Sequence, residues 1–403
     1  MKLPLVLEPL RHRDFRLLWA GQGVSTFGSF VHNVALPFQF FALGATAVQL
    51  GAGFALFTAV QVGLLLFGGA IVDRLPRRRI ILSADFARGV VTTVIGVLSV
   101  TGNLRVELLY VELAAFGVSA AFFTPAIGAI VPELVPAELL TQGNALRGFT
   151  RQFARVFGPA VGGILVVTAG PGWAFLLDGA SFFISFIALL LTRPPTHERS
   201  ARKHLLREIR EGIAFTFSVP WLWITIAIFA VANTAYSGPL SVGLPIYVRD
   251  VLRSDARAFG LIIAALGLGE FAGGLFIAQV RTKRIGIAMY SYATLGGLAI
   301  AGIGLFPSLV VVMALSALNG FTLSGFGTLW ETAVQRKVPR ELLGRVGSVD
   351  WFGSLLLSPL APLVAGALIQ GYGTEPLFVG GGLLAAGLCG LAFFVPSIRT
   401  LRV

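Results

Sequence analysis

Twelve apolar runs of about 20 residues, joined by short links rich in arginine, leave this 403-residue chain few ways to fold. The runs begin near Leu17, Val48, Ile80, Leu108, Thr150 and Trp173, and again near Trp221, Phe259, Ile285, Leu309, Val346 and Leu377. Each is long enough to cross a hydrocarbon core of roughly 30 Å. With 56% hydrophobic and 12% charged residues, the chain has more apolar surface than one soluble core can hide, so its solvent is largely lipid. A span in lipid must close its own backbone hydrogen bonds, and these runs lack the alternation of a barrel wall, so they read as helices. The first run is too long for a signal-peptide core and no small-residue cleavage site follows, so it is expected to remain as the first span. The 49 glycines fit close helix–helix approach.

The second constraint is a repeat. Gly68–Ile80, GGAIVDRLPRRRI, aligns with Gly273–Ile285, GGLFIAQVRTKRI, while VPAELL at Val135 recurs as VPRELL at Val338 and Pro159 falls on Pro362. A half-length period predicts two homologous bundles rather than a solenoid. The expected fold is an all-α membrane protein of twelve transmembrane helices in two pseudo-symmetric six-helix bundles. The bundles span 1–192 and 213–403, with 193–212 a cytoplasmic linker whose Leu205, Leu206, Ile209 and Ile213 recur at amphipathic helical spacing.

Placing both termini in the cytoplasm puts the 31 Lys and Arg at cytoplasmic ends, except Arg88 inside a span and Arg105, Arg249, Arg253 and Arg257 in outer loops. The net charge of +12 is then topological, attracting anionic lipid; no basic soluble face with base-stacking aromatics suggests nucleic acid. There is no phosphate-binding Gly-x-x-x-x-Gly-Lys-Ser/Thr loop. Four scattered histidines and one cysteine, Cys389, offer no metal cluster or disulfide framework. No catalytic pair at fixed helical spacing is found, so neither an enzyme nor a cofactor is expected.

Two motifs stand out. Gly69, Asp73, Arg74, Arg77 and Arg78 lie in the second link, and Gly158, Pro159, Gly162 and Gly163 in the fifth run, one turn after Arg155. The first resembles the loop between helices two and three of the major facilitator superfamily, with Pro76 in place of its second glycine. The second resembles the Gly-Pro-x-x-Gly-Gly core of drug:proton antiporters. LRHRDFRLLWAGQ, LLDGASFFISFIALLL and ETAVQRKVPRELLGRV are similar to the exporters of macrolides and of enterobactin, so the likeness runs the full length. The helix-four arginine of many drug:proton antiporters is missing here. The resemblance implies a monomeric transporter of the bacterial inner membrane, whose first motif latches the cytoplasmic side. By its chemistry Pro159 should bend or loosen its helix, and the glycines beside it form either a movable seam between the halves or merely tight packing. For Arg77 and Arg78 the alternative to a latch is topological anchoring.

Ionisable groups within spans are costly unless paired, hydrated or used. Asp85 and Arg88, three apart on one helix face, are expected to neutralise each other, and Asp178 to serve structure. Glu112 and Glu270 have no local cation in sequence and are the proton-carrier candidates, the alternative being protonated acids bonded to a neighbouring helix. His32 is either a third carrier or a satisfied core histidine. Arg155 either snorkels or senses a carboxylate. A midplane substrate cavity is expected to draw on His32, Asn33, Gln61, Phe116, Asn233, Tyr236, Glu270 and Asn319. The expected function is proton-coupled export of a hydrophobic or amphipathic small molecule of drug, macrolide or siderophore type by alternating access. Alternatives are a lipid or lysolipid flippase without proton coupling, and a non-transporting receptor or scaffold.

Overall fold

The computed structural model describes residues 5–72, 75–193, 205–280 and 282–402. Among these residues the regular structure is helical, with no strand. The first half contains α1 (Arg13–Ala42), α2 (Ala47–Val72), α3 (Arg77–Val100), α4 (Val106–Leu134), α5 (Leu140–Ala169) and α6 (Pro171–Leu190). The second contains α7 (Leu205–Ser218), α8 (Pro220–Gly238), α9 (Leu244–Asp250), α10 (Ala256–Ile277), α11 (Ile285–Leu305), α12 (Leu309–Lys337), α13 (Leu343–Leu355), α14 (Leu360–Tyr372), α15 (Glu375–Leu391) and the short α16 (Pro396–Arg399).

Eleven helical stretches among the described residues are long and apolar enough to cross a membrane. The set lacks α1, although its 30 residues would extend about 45 Å. Gln22, Ser25, Ser29, His32 and Gln39 lower its apolar character, and the structure turns that stripe inward, with Gln22, Ser29 and Gln39 bonded to Asp85, Asp178 and Ser99.

Contacts divide the chain into two compact units. One holds α1, α2 from Leu56 onward, α3 to α6, and Asp255–Gly260; the other holds Thr46–Ala55 and the rest of the second half. In the first unit α6 packs on both α1 and α3, α5 packs on α1, and α4 on α3. Phe15, Ile81, Ile130 and Leu189 fill one end of it. In the second unit α11 packs on α12 and α15, around Leu222, Tyr290, Ala333 and Val346.

Proline interrupts the two halves unequally. α5 runs unbroken through Pro159, whereas its repeat partner is interrupted: Leu355 ends α13 and Leu360 begins α14. Pro359 and Pro362 both lack the amide a continuous ladder needs, and the amides of Leu356, Ser358, Leu360 and Ala361 bond three residues back instead. Pro239 has a similar effect, with a π-turn over Pro239–Gly243 joining α8 to α9. α7 begins inside the expected linker and continues past Gly212 to Ser218. It packs on α13, where Arg345 pairs with Glu211.

Asp73 and Arg74 lie outside the described residues, and Gly69 falls within α2. Arg77 bonds Ala129 O at 3.1 Å and pairs with Glu133 at the end of α4. Arg78 donates to Leu189 O and Leu190 O at 3.1 and 2.7 Å, closing the C-terminal carbonyls of α6. These two arginines fasten the start of α3 to its neighbours in the first unit.

Candidate functional site

In the first unit, helical periodicity gathers polar groups from four helices. On α1, Gln22, Ser29 and His32 share one face; on α6, Asp178, Ser181 and Ser185 follow at three- and four-residue steps; on α3, Asp85, Arg88 and Thr92 do the same. Glu112 enters from α4. Small residues allow the close approach this requires: a Cβ on Gly28 would lie 2.7 Å from Asp178 Oδ1, and one on Gly89 would touch the Phe183 ring.

The centre is His32, 3% exposed, with Nδ1 3.2 Å from Oδ2 of fully buried Asp178. The pair is close, but its angle does not meet hydrogen-bonding geometry. Ser181 and Ser29 donate to Asp178 Oδ1 at 3.2 and 3.3 Å. The imidazole stacks on Phe116 at 5.3 Å and meets Phe175 edge-on at 4.9 Å, so it cannot turn freely to solvent. Glu112, 1% exposed, has no hydrogen-bond partner on either carboxyl oxygen; Thr92, His32 and Asp178 are the polar groups acting on it.

The expected Asp85–Arg88 pair does not form. Asp85 Oδ2 instead accepts from Gln22 Nε2 at 3.1 Å and Ser185 Oγ at 2.8 Å. Arg88 turns its guanidinium over Phe123 at 4.6 Å, with Phe116 and Phe182 at 5.6 and 5.8 Å. A planar, weakly hydrated guanidinium suits an aromatic cage, and it remains under the field of both Asp85 and Asp178. Three acids and two bases therefore share one buried region, which is electrically neutral with a single proton on the acids when His32 is charged.

The second unit presents a different surface. A cavity of about 240 Å³ is lined by Asn233, Tyr236, Asn319, Thr322 and Ser358 among aromatic and aliphatic groups. A wider one of about 680 Å³ shares Phe229, Asn233, Leu323, Phe326 and Leu355 with it and adds Trp330, Glu331, Asp350 and Trp351. Tyr236 Oη donates to Ala293 O at 2.8 Å, Asn319 Nδ2 to Gly296 O at 3.3 Å and Asn233 Nδ2 to Ser354 O at 3.0 Å, which fixes each side chain at the wall.

The sequence-derived residues thus separate. His32, Glu112 and Phe116 meet in the first unit; Asn233, Tyr236 and Asn319 meet in the second. Asn33 is exposed on α1, while Gln61 and Glu270 are half-buried on α2 and α10, and none of the three lines either cavity. Arg155 has its guanidinium 5.9 Å from the Phe30 ring. The helix-five glycines divide too. Cβ atoms on Gly158 and Gly162 would meet Phe30 Cβ at 2.6 Å and Val31 O at 2.9 Å, both on α1. Gly163 instead faces Ala256 and Arg257 at the start of α10, and Gly260 there faces the Pro159 carbonyl. Reasoning from sequence missed Asp178 as the partner of His32; the signal was the Asp178, Ser181, Ser185 stripe on α6.

A many-helix membrane bundle with a buried acid–imidazole cluster and an amide- and aromatic-lined cavity fits a membrane transporter. The model of the transmembrane secretion effectors, a major facilitator family, matches residues 5–401, and the chain belongs to that family. The enterobactin exporter EntS of Shigella boydii serotype 18 (strain CDC 3083-94 / BS512) is 29% identical over 384 residues, covering 90% of this chain and 89% of the relative. EntS of Escherichia coli O1:K1 / APEC shows the same identity and coverage. A bacterial homologue of the iron transporter ferroportin, solved in an inward-facing state, superposes with TM-score 0.74 at 18% identity over 96% of this chain and 98% of its own. The nucleoside transporter NupG gives TM-score 0.75 at 10% identity over 98% and 100%. The chain is a multi-pass inner-membrane transporter of a small molecule.

Proposed function

We propose that this transporter exports a bulky amphipathic molecule, of siderophore or drug type, in exchange for protons by alternating access, and that α1 is a twelfth span with both termini cytoplasmic. The length of α1, its inward polar stripe and the basic links support the topology. Similarity to the enterobactin exporters supports the direction and class of cargo.

The observation carrying proton coupling is Glu112, buried with both oxygens unpaired beside His32 and Asp178. An ionised carboxylate without a donor is the costliest state for such a site, so Glu112 holds the proton that makes the cluster neutral. Losing it leaves a net negative charge that rearrangement or hydration must relieve, which ties proton release to a change of state. His32, restrained by Asp178 and two rings, sets the field at Glu112. Glu270 is a second carrier in this proposal, on α10 beside Gly320 of α12.

The test is purified protein in liposomes with an imposed pH gradient, following lumenal pH as enterobactin, a macrolide or an aromatic cationic dye is added. Compound-dependent proton movement that disappears in Glu112→Gln is the expected result. Compound flux with no proton movement would overturn coupling, and no flux of any compound would overturn the export assignment.

A further inference from the structure

The wider cavity of the second unit has a one-sided charge. Its charged lining residues are Glu331 and Asp350 alone, although Arg336, Lys337, Arg340 and Arg345 crowd the same ends of α12 and α13. Asp350 takes Trp330 Nε1 on Oδ2 at 2.8 Å and Ser354 Oγ on Oδ1 at 3.1 Å. Both oxygens therefore accept from neutral donors, and no cation of the described chain pairs with it.

Aromatic faces lead inward from this charge. Phe326 and Trp330 are nearly parallel, at 10° and 6.4 Å, and Phe229 stacks on Phe326 at 25° and 4.2 Å. The deep end is rich in acceptors. Asn319, 3% exposed, spends its Nδ2 on Gly296 O, and among the described residues no donor reaches its Oδ1; Asn233 is held the same way. Ser237 adds a buried hydroxyl without a partner. Acceptor oxygens, ring faces and an uncompensated carboxylate all favour positive charge, and no cationic side chain lines either cavity to hold an anion.

We infer that this cavity is a binding site for an amphipathic monocation, with Phe229, Phe326 and Trp330 receiving its apolar body and Asp350, supported by Glu331, supplying the counter-charge. The inference names the cargo of the transporter proposed above and rests on that reading. Volumes of about 240 and 680 Å³ bracket the size of a drug-like ligand.

Two probes of nearly equal size and opposite charge separate charge from hydrophobicity. Tetraphenylphosphonium and tetraphenylborate are dialysed against the purified full-length protein in detergent, with protein-free micelles as the blank. The expected result is saturable binding of the cation, at least about tenfold tighter than the anion, weakened about tenfold by Asp350→Asn and recovered in part by Asp350→Glu. Gel-filtration profiles of the variants establish that they are folded, and Trp330→Phe, which keeps a ring but removes the donor to Asp350, is an independent second variant. Equal binding of both ions, no saturable cation binding, or unchanged affinity in folded Asp350→Asn would each overturn the inference. The liposome assay separates this from the export assignment: flux of a neutral or anionic compound alongside any of those results would leave a transporter whose cargo is not a cation.

Discussion

His32 on α1 and Asp178 on α6 face each other at 3.2 Å, with side chains 4% and 0% exposed, and so join two helices through a titratable contact inside the first unit. Breaking a buried pair by removing one partner leaves the other uncompensated, at a cost of about 3–5 kcal/mol. His32→Gln and Asp178→Asn should each destabilise the protein by several kcal/mol, and the double variant by about 1–3 kcal/mol less than their sum. Unfolding in mixed micelles measures the cycle; additivity would deny the pair an energetic role.

Glu112 predicts the opposite separation of stability from activity. Neither of its oxygens has a partner in full hydrogen-bonding geometry, and Glu112→Gln keeps an acceptor oxygen for the nearby Thr92 hydroxyl, so it should change stability by less than about 1 kcal/mol. Proton counterflow should nevertheless stop. Intact counterflow in a folded Glu112→Gln protein would move the coupling site elsewhere.

Arg88 is held by rings more than by its neighbouring acid. Arg88→Lys keeps the charge but loses the planar stack over Phe123, and should cost about 1–2 kcal/mol. Phe123→Leu should cost a similar amount, and the two losses should not add. Equal stability of the lysine variant would show that charge alone is needed.

The glycines of α5 and α10 can be tested against an internal control. A Cβ on Gly163 or Gly260 would run into the carbonyl of Ala256 or Pro159, respectively. Gly163→Ala and Gly260→Ala should each cost about 1–3 kcal/mol and reduce transport. Gly128→Ala, where nothing lies within 4 Å, should be neutral or stabilising by roughly 0.5–1 kcal/mol. The repeat predicts the same penalty at Gly51, which faces Pro362, and at Gly366, which faces Ala47.

Asp255, just before α10, supplies a pH dependence outside the spans. Partial burial raises its carboxyl, but hydrogen bonds from the Arg257 side chain at 3.1 Å and amide at 2.9 Å outweigh it and hold the carboxyl below its ordinary value. A depressed folded value contributes stability above the unfolded value of about 3.9, lost as pH falls through the folded one. Asp255→Asn should therefore be less stable than wild type above about pH 5, where the carboxylate contributes in full, and the two curves should converge as pH falls towards 3, in unfolding measured from pH 3 to 7.

The apolar runs made the helices legible, because a span in lipid must satisfy its own backbone. The half-length repeat was legible too, and Gly163 with Gly366 shows why it persists: each allows a neighbouring backbone to approach where a Cβ would not fit. Asn233, Tyr236 and Asn319 were readable as wall residues because polar groups in an apolar run must face something other than lipid. The break before α14 was not readable, since Pro159 and Pro362 occupy matching positions yet only the second lies beside another proline and an interrupted ladder.

Sequence by itself determined that the chain lives in a membrane, that it is duplicated, and that His32 and Glu112 are buried charges requiring an explanation. Only the tertiary structure decided their company. Periodicity fixes the face of a helix on which a residue sits, but not which neighbour that face meets. Arg88 therefore looked paired with Asp85, three residues away, until aromatic rings from α4 and α6 surrounded it. Asp178 looked structural until the packing of α6 on α1 brought its carboxylate to His32, because a charge buried from water takes its meaning from the groups within a few ångströms of it.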